Sequence, residues 1–170
     1  MKNLKFLFSA IVLIIVFTQV KAQNITTSAA LNNVLVTYYR VKNSLVADDA
    51  AVAQNKAKEL IAAINAVEPN ELTTAQKKTW TAHADKLLAD SKRIAENNLE
   101  GQRDNFTTLS KDMFEVFKSL KINSATIYQQ YCPMKKAIWL SETPDIKNPY
   151  FGEQMLSCGS TTETIAVDTK

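Results

Sequence analysis

The chain has 170 residues, of which 46% are hydrophobic, 22% charged and 8% aromatic, with three glycines and four prolines. That length suits one ordinary domain, and so little Gly and Pro excludes collagen-like, linker-like and low-complexity chains. The formal charge of +3 resides in Lys2, Lys5 and Lys21, and the rest of the chain is formally neutral. A nucleic-acid binder needs surplus cations to displace phosphate counterions, and neither a surplus nor a Lys/Arg cluster is present.

Residues 1–22 read as a cleaved secretory signal peptide. Lys2 and Lys5 form a basic start, Leu7 to Phe17 is an apolar run broken by Ser9, and Val20-Lys21-Ala22 offers small residues at the −3 and −1 positions of a cut before Gln23. The run is shorter than the ~20 residues that span a bilayer. No cysteine lies near the cut to accept a lipid. The expected product is residues 23–170, a single domain that is periplasmic or secreted and has no membrane association after cleavage.

The expected fold is mainly α: an antiparallel four-helix bundle with a small C-terminal cap that contains Cys and Met and has short β-strands. The first helix, about residues 28–47, carries Leu31, Leu35, Tyr38, Val41 and Leu45 on one stripe. The second, about 49–68, has Asp48 or Asp49 as its cap and a stripe of Ala53, Ala57, Leu60, Ile61, Ile64 and Val67. Pro69 ends it, because Pro disfavours helical geometry in the residue before it. The third, about 74–99, begins with a capping box between Thr73 and Gln76 and has a stripe of Trp80, Ala84, Leu87, Leu88 and Ile94 that can extend to Leu99. Gly101 is the expected break before the fourth, about 102–121, whose stripe is Phe106, Leu109, Met113, Phe117 and Leu120. Short connections between helices of similar length favour antiparallel neighbours.

Beyond Asn123 the composition changes. Three of the four prolines and two of the three glycines lie there. Residues 124–160 read as a folded-back cap with short strands at Thr126-Ile127-Tyr128 and Ala137 to Leu140. Residues 161–170 are a tail, of which Thr161 to Val167 is either a third strand or disordered.

Sulfur concentrates in the cap. After the signal segment the sulfur side chains are Met113, Cys132, Met134, Met155 and Cys158, and four of these five fall within residues 132–158. Cys132 and Met134 share a face if that stretch is extended, and Met155 and Cys158 share one if theirs turns once as a helix. Soft thiolate and thioether ligands select Cu(I) and similar ions. In an oxidising compartment the competing reading is a Cys132–Cys158 disulfide that staples the cap, worth roughly 3 kcal/mol in the chain-entropy model. His83, near the apolar stripe of the third helix, is a further ligand candidate only if the cap folds over that helix.

Neither a nucleophile elbow, nor a zinc-protease helix, nor a phosphate-binding loop is present, so the sequence points away from an enzyme. A second reading makes the protein a non-catalytic interaction module whose stapled cap presents Trp139, Tyr150 and Phe151 to a partner.

One set of motifs carries a family resemblance: Gln102-Arg103 with Phe106, Leu109 and Ser110; Tyr131-Cys132-Pro133-Met134; Ala137 with Trp139-Leu140-Ser141; Ile146 with Asn148-Pro149-Tyr150-Phe151-Gly152; and Met155-Leu156 with Cys158-Gly159. Together they resemble an exported family catalogued as domain of unknown function 3347, specifically over Gln102 to Gly159 and in general layout before that. The resemblance implies a helical domain found alone or attached to periplasmic adaptor subunits of heavy-metal efflux systems. By that company it implies Cu(I) or Ag(I) handling and an efflux adaptor or another efflux component as partner. The Tyr-Cys-Pro-Met element is also similar to a heavy-metal-binding motif of copper transporters. There His follows Met, whereas here Lys135 and Lys136 follow, which removes a ligand.

Overall fold

The computed structural model describes residues 29–167. The signal segment expected over residues 1–22 lies outside the described residues, as do residues 168–170 of the expected tail. Four helices come first: α1 (residues 29–46), α2 (Ala50–Asn65), α3 (Thr74–Glu96) and α4 (Leu99–Leu120). Three strands follow, β1 (Ile127–Cys132), β2 (Ala137–Ser141) and β3 (Ser160–Ile165), in one antiparallel sheet of order β2-β1-β3. Among the described residues no helix is long and apolar enough to cross a membrane.

The helix boundaries follow local chemistry. Asp49 caps α2 by accepting the Val52 N–H at 2.9 Å. Thr73 and Gln76 form the expected reciprocal capping box at the start of α3. The break between α3 and α4 falls at Asn97-Asn98 rather than at Gly101. The Asn98 side chain accepts the Gly101 N–H at 3.0 Å, which starts α4 earlier and places Gly101 in its first turn. α2 also stops short of Pro69, which opens a separate 3-10 turn, Pro69–Glu71.

The apolar stripes meet in one core. Leu31, Tyr38, Val41, Leu45, Leu60, Leu87, Ile94, Phe106, Leu109, Met113 and Phe117 are all fully buried within it. α3 packs on both α2 and α4, and α4 also packs against β2. α1 meets α4 where the rings of Tyr38 and Phe106 stack with centroids 5.2 Å apart. Met113 fills this core as an apolar side chain.

The sheet closes over the helices. Trp139 and Leu140 of β2 are fully buried, and burying an aliphatic side chain such as that of Leu140 contributes about 1.5–3 kcal/mol. Ser160–Ile165 pairs with β1 from Ile127↔Ile165 to Tyr131↔Ser160, so this part of the chain is a strand and not a tail. The pairing needs both strands in place, because the Ser, Thr and Glu of β3 carry no apolar alternation of their own.

Candidate functional site

The sheet register brings the two cysteines together. Cys132 ends β1, where it pairs with Ala137 of β2, and Tyr131 before it pairs with Ser160 of β3. Continuing that antiparallel register sets Cys132 opposite Gly159, with Cys158 the next residue along. Both are free thiols. Cys132 is fully buried and Cys158 is half-buried. Partial desolvation, then hydrogen bonding to Cys132 and its charge, push the Cys158 thiol above its ordinary value.

The approach of the strands depends on Gly159. Its φ of +151° is glycine territory, and a Cβ there would lie 2.7 Å from the Trp139 ring and 2.9 Å from the Tyr131 carbonyl. The Lys135 N–H points at the Cys132 sulfur at 3.4 Å. The Lys135 ammonium itself turns away to Asp104 of α4, 2.6 Å distant.

A buried asparagine fixes the other cysteine. Asn148 donates its side-chain N–H to the Cys158 carbonyl at 2.7 Å and accepts the Tyr150 N–H at 2.8 Å. Its backbone N–H donates to the Leu156 carbonyl at 2.8 Å. The Cys158 N–H closes a turn on the Met155 carbonyl at 3.0 Å, just after the 3-10 turn Gly152–Met155. Arg103 of α4 secures the same loop from outside. It donates to the Pro149 carbonyl at 2.9 Å, to the Leu45 carbonyl at 3.1 Å, and to the Asp48 carboxylate. Asp48 in turn accepts the Glu153 N–H at 3.1 Å. Gly152 faces that carboxylate with φ +55°, where a Cβ would collide with it. Arg103, Asn148 and Gly152 thus act as a joint between helices and loop. The sequence gives no sign that Asp48 belongs to that joint, since as a cap candidate it is indistinguishable from Asp49.

The remaining sulfur candidates part company. Met134 does not share a face with Cys132. β1 ends at Cys132, the four residues after it form the turn to β2 with Lys136 at φ +55°, and Met134 is 64% exposed. Met155 is half-buried at the turn that carries Cys158. His83 lies between α3 and α4, with Nδ1 2.7 Å from the Asp112 carboxylate, on a groove lined by Lys78, Thr79, Glu115 and Ser119. Its polar partner is a helix neighbour, and the sheet is not part of that groove. Among the described residues no three of His, Cys, Asp and Glu cluster to hold a metal.

Trp139 and Tyr150, expected on a partner-facing surface, are buried at 0% and 4% exposure. Their rings meet edge to face at 6.1 Å, Tyr150 also packs on Phe106, and its hydroxyl donates to the Ile138 carbonyl. They fasten the sheet to α4, and only Phe151 of the three is half-exposed.

These features define a mainly helical domain with a small antiparallel sheet and a dithiol at the sheet's end. A family model described as "Protein of unknown function (DUF3347)" matches residues 34–125, more than half of the chain, and the chain belongs to that family. The match spans most of α1 through α4, including Gln102, Arg103, Phe106, Leu109 and Ser110, and ends before β1. The sulfur residues 132–158, where the resemblance was expected to be specific, lie beyond it. Comparisons with curated proteins and with solved structures give no match.

Proposed function

We propose that the protein is an exported, non-catalytic accessory of heavy-metal handling, in which an antiparallel four-helix bundle carries a sulfur-bearing cap that takes up one soft ion, Cu(I) or Ag(I). Cys132 and Cys158 are the primary ligands. Met155, on the turn that carries Cys158, is the auxiliary thioether, and Met134 contributes only if its turn folds inward. The partner in this reading is a periplasmic efflux adaptor or another efflux component. The metal is cargo, and the protein's task is to hold and release it.

One observation carries the reading: two free thiols from distant points in the chain are neighbours at the end of one sheet, one of them accessible to solvent. A pair of thiolates is a donor set that favours a soft monovalent ion. Zinc usually takes four Cys or His ligands in a closed site, and the described residues bring no such set together.

The test is a competition titration of reduced protein against a Cu(I) chelator. Wild type should withdraw one Cu(I) per chain. Cys132→Ser and Cys158→Ser should withdraw none, while Met134→Leu should match wild type because that side chain faces solvent. A wild type that competes no better than Cys132→Ser would overturn the reading.

A further inference from the structure

We propose that Cys132 and Cys158 form a reversible thiol–disulfide pair, with Cys158 as the entry thiol and Cys132 as the resolving thiol. The exchange needs only the two sulfurs, so it goes beyond the metal reading. Where that reading also holds, the disulfide removes both ligands at once and sets the metal-binding state by redox poise.

The division of roles comes from access. Cys132 is fully buried among core side chains, so an outside disulfide cannot reach it before Cys158, which is half-buried at the sheet's end. Both cysteines are held from the backbone. Cys132 is paired with Ala137, and Cys158 is tied through its carbonyl to Asn148 and through its N–H to Met155. The register sets Cys132 opposite Gly159, so Cys158 is one residue off that pair, and the two thiols lie within hydrogen-bonding reach of each other. The Lys135 N–H directed at the Cys132 sulfur favours negative charge there as that sulfur attacks.

The oxidant is a disulfide, R–S–S–R. The Cys158 sulfur attacks one of its sulfurs, the S–S bond breaks, and the departing thiolate takes up the Cys158 proton. This leaves Cys158–S–S–R. The Cys132 sulfur then attacks the Cys158 sulfur, and the second R thiolate leaves with the Cys132 proton. The two cysteines lose two electrons in all, and R–S–S–R becomes two R–SH. A dithiol reductant reverses the sequence.

Oxidised glutathione serves as the probe, with metal-free reduced protein kept in chelator, acid quenching and intact-mass analysis. Wild type should finish two hydrogens lighter and without an adduct. Cys132→Ser should stop as a glutathione adduct on Cys158. Cys158→Ser should react about tenfold or more slowly, because its remaining thiol is buried. A wild type that retains both thiols or accumulates a stable adduct would overturn the proposal, as would Cys158→Ser reacting as fast as Cys132→Ser. Native wild type offers a check independent of mutant folding. Brief alkylation should mark Cys158 first and reach Cys132 only after denaturation, and equal labelling of the two would count against the proposal. Because chelator is present throughout, this result is independent of the Cu(I) titration.

Discussion

The Tyr38 hydroxyl of α1 accepts the Leu140 N–H of β2 at 3.0 Å. The same hydroxyl shares a 2.8 Å hydrogen bond with Ser110 of α4, so one oxygen joins two helices and a strand. Ile138 and Leu140 direct their backbone groups to the same side of β2, the edge away from β1. Tyr38 satisfies the N–H of one, and Tyr150 donates to the carbonyl of the other. Two tyrosine hydroxyls thereby seal an edge that would otherwise offer unpaired groups to another strand.

Tyr38→Phe keeps the ring stacked on Phe106 and removes only the oxygen. It leaves the Leu140 N–H and the Ser110 hydroxyl without that partner in a buried site. The expected loss is about 1–3 kcal/mol in urea unfolding, the cost of stranding a buried polar group. A change within error would mean that the edge is satisfied in another way.

Lys42 is only 2% exposed, and its ammonium lies 2.7 Å from the Glu142 carboxylate and 5.7 Å from the Tyr39 ring centroid. Burial lowers the Lys42 pKa, opposed by the hydrogen bond and charge of Glu142. Glu142→Gln leaves that ammonium buried without its counter-charge. The expected cost is about 1–3 kcal/mol, below the full buried-pair range because Glu142 is 38% exposed. Lys42→Met removes the buried charge itself and should cost less. Paired chemical denaturation curves check the order, and the reverse order would contradict it.

The same carboxylate sets an acid limb. Burial pushes Glu142 up, but the hydrogen bonds from Lys42 and Asn43 outweigh it and hold the carboxyl below its usual range. Asp48 behaves alike: burial is overcome by the Glu153 N–H and by Arg103. A carboxyl with a depressed folded pKa binds fewer protons in the folded state than in the unfolded one. Its contribution is fully present above the unfolded pKa of about 4 and is lost as pH falls through the folded value. Stability should therefore fall between about pH 5 and 2, and less steeply in Glu142→Gln. A midpoint that does not change on acidification would contradict this.

Asn148→Ala removes the bonds to the Cys158 carbonyl and the Tyr150 N–H in one step. A loss of about 1–3 kcal/mol is expected. The half of the dithiol that Asn148 secures should loosen as well. Cys158 alkylation in the native protein should then quicken while Cys132 stays protected. Unchanged Cys158 reactivity would show that the Met155 turn alone fixes that residue.

What the sequence revealed and what it hid follow from the range of the forces involved. The stripes of α1 and α4 and the Thr73–Gln76 box are local patterns, readable from residues within a few positions of one another. The pairing of β3 with β1, the Arg103–Asp48 link and the tyrosine-sealed edge join residues far apart in sequence, and no local pattern encodes them. Asn98 outcompeted Gly101 as the punctuation between α3 and α4, because a side-chain cap begins a helix that a single glycine near its start does not prevent. For the sulfur group, the i, i+3 spacing of Met155 and Cys158 allowed a turn without requiring one, and the Cys158 N–H to Met155 carbonyl bond supplies it. The outward turn of Met134 was not legible, since it depends on β1 ending at Cys132.

The most direct measurement of the central claim is native mass spectrometry of the protein, reduced and supplied with a Cu(I)–chelator complex. The account predicts one copper per chain in wild type, and none in Cys132→Ser or in protein oxidised beforehand to the internal disulfide. Reduced wild type that stays metal-free, or oxidised protein that carries the same copper, would contradict it.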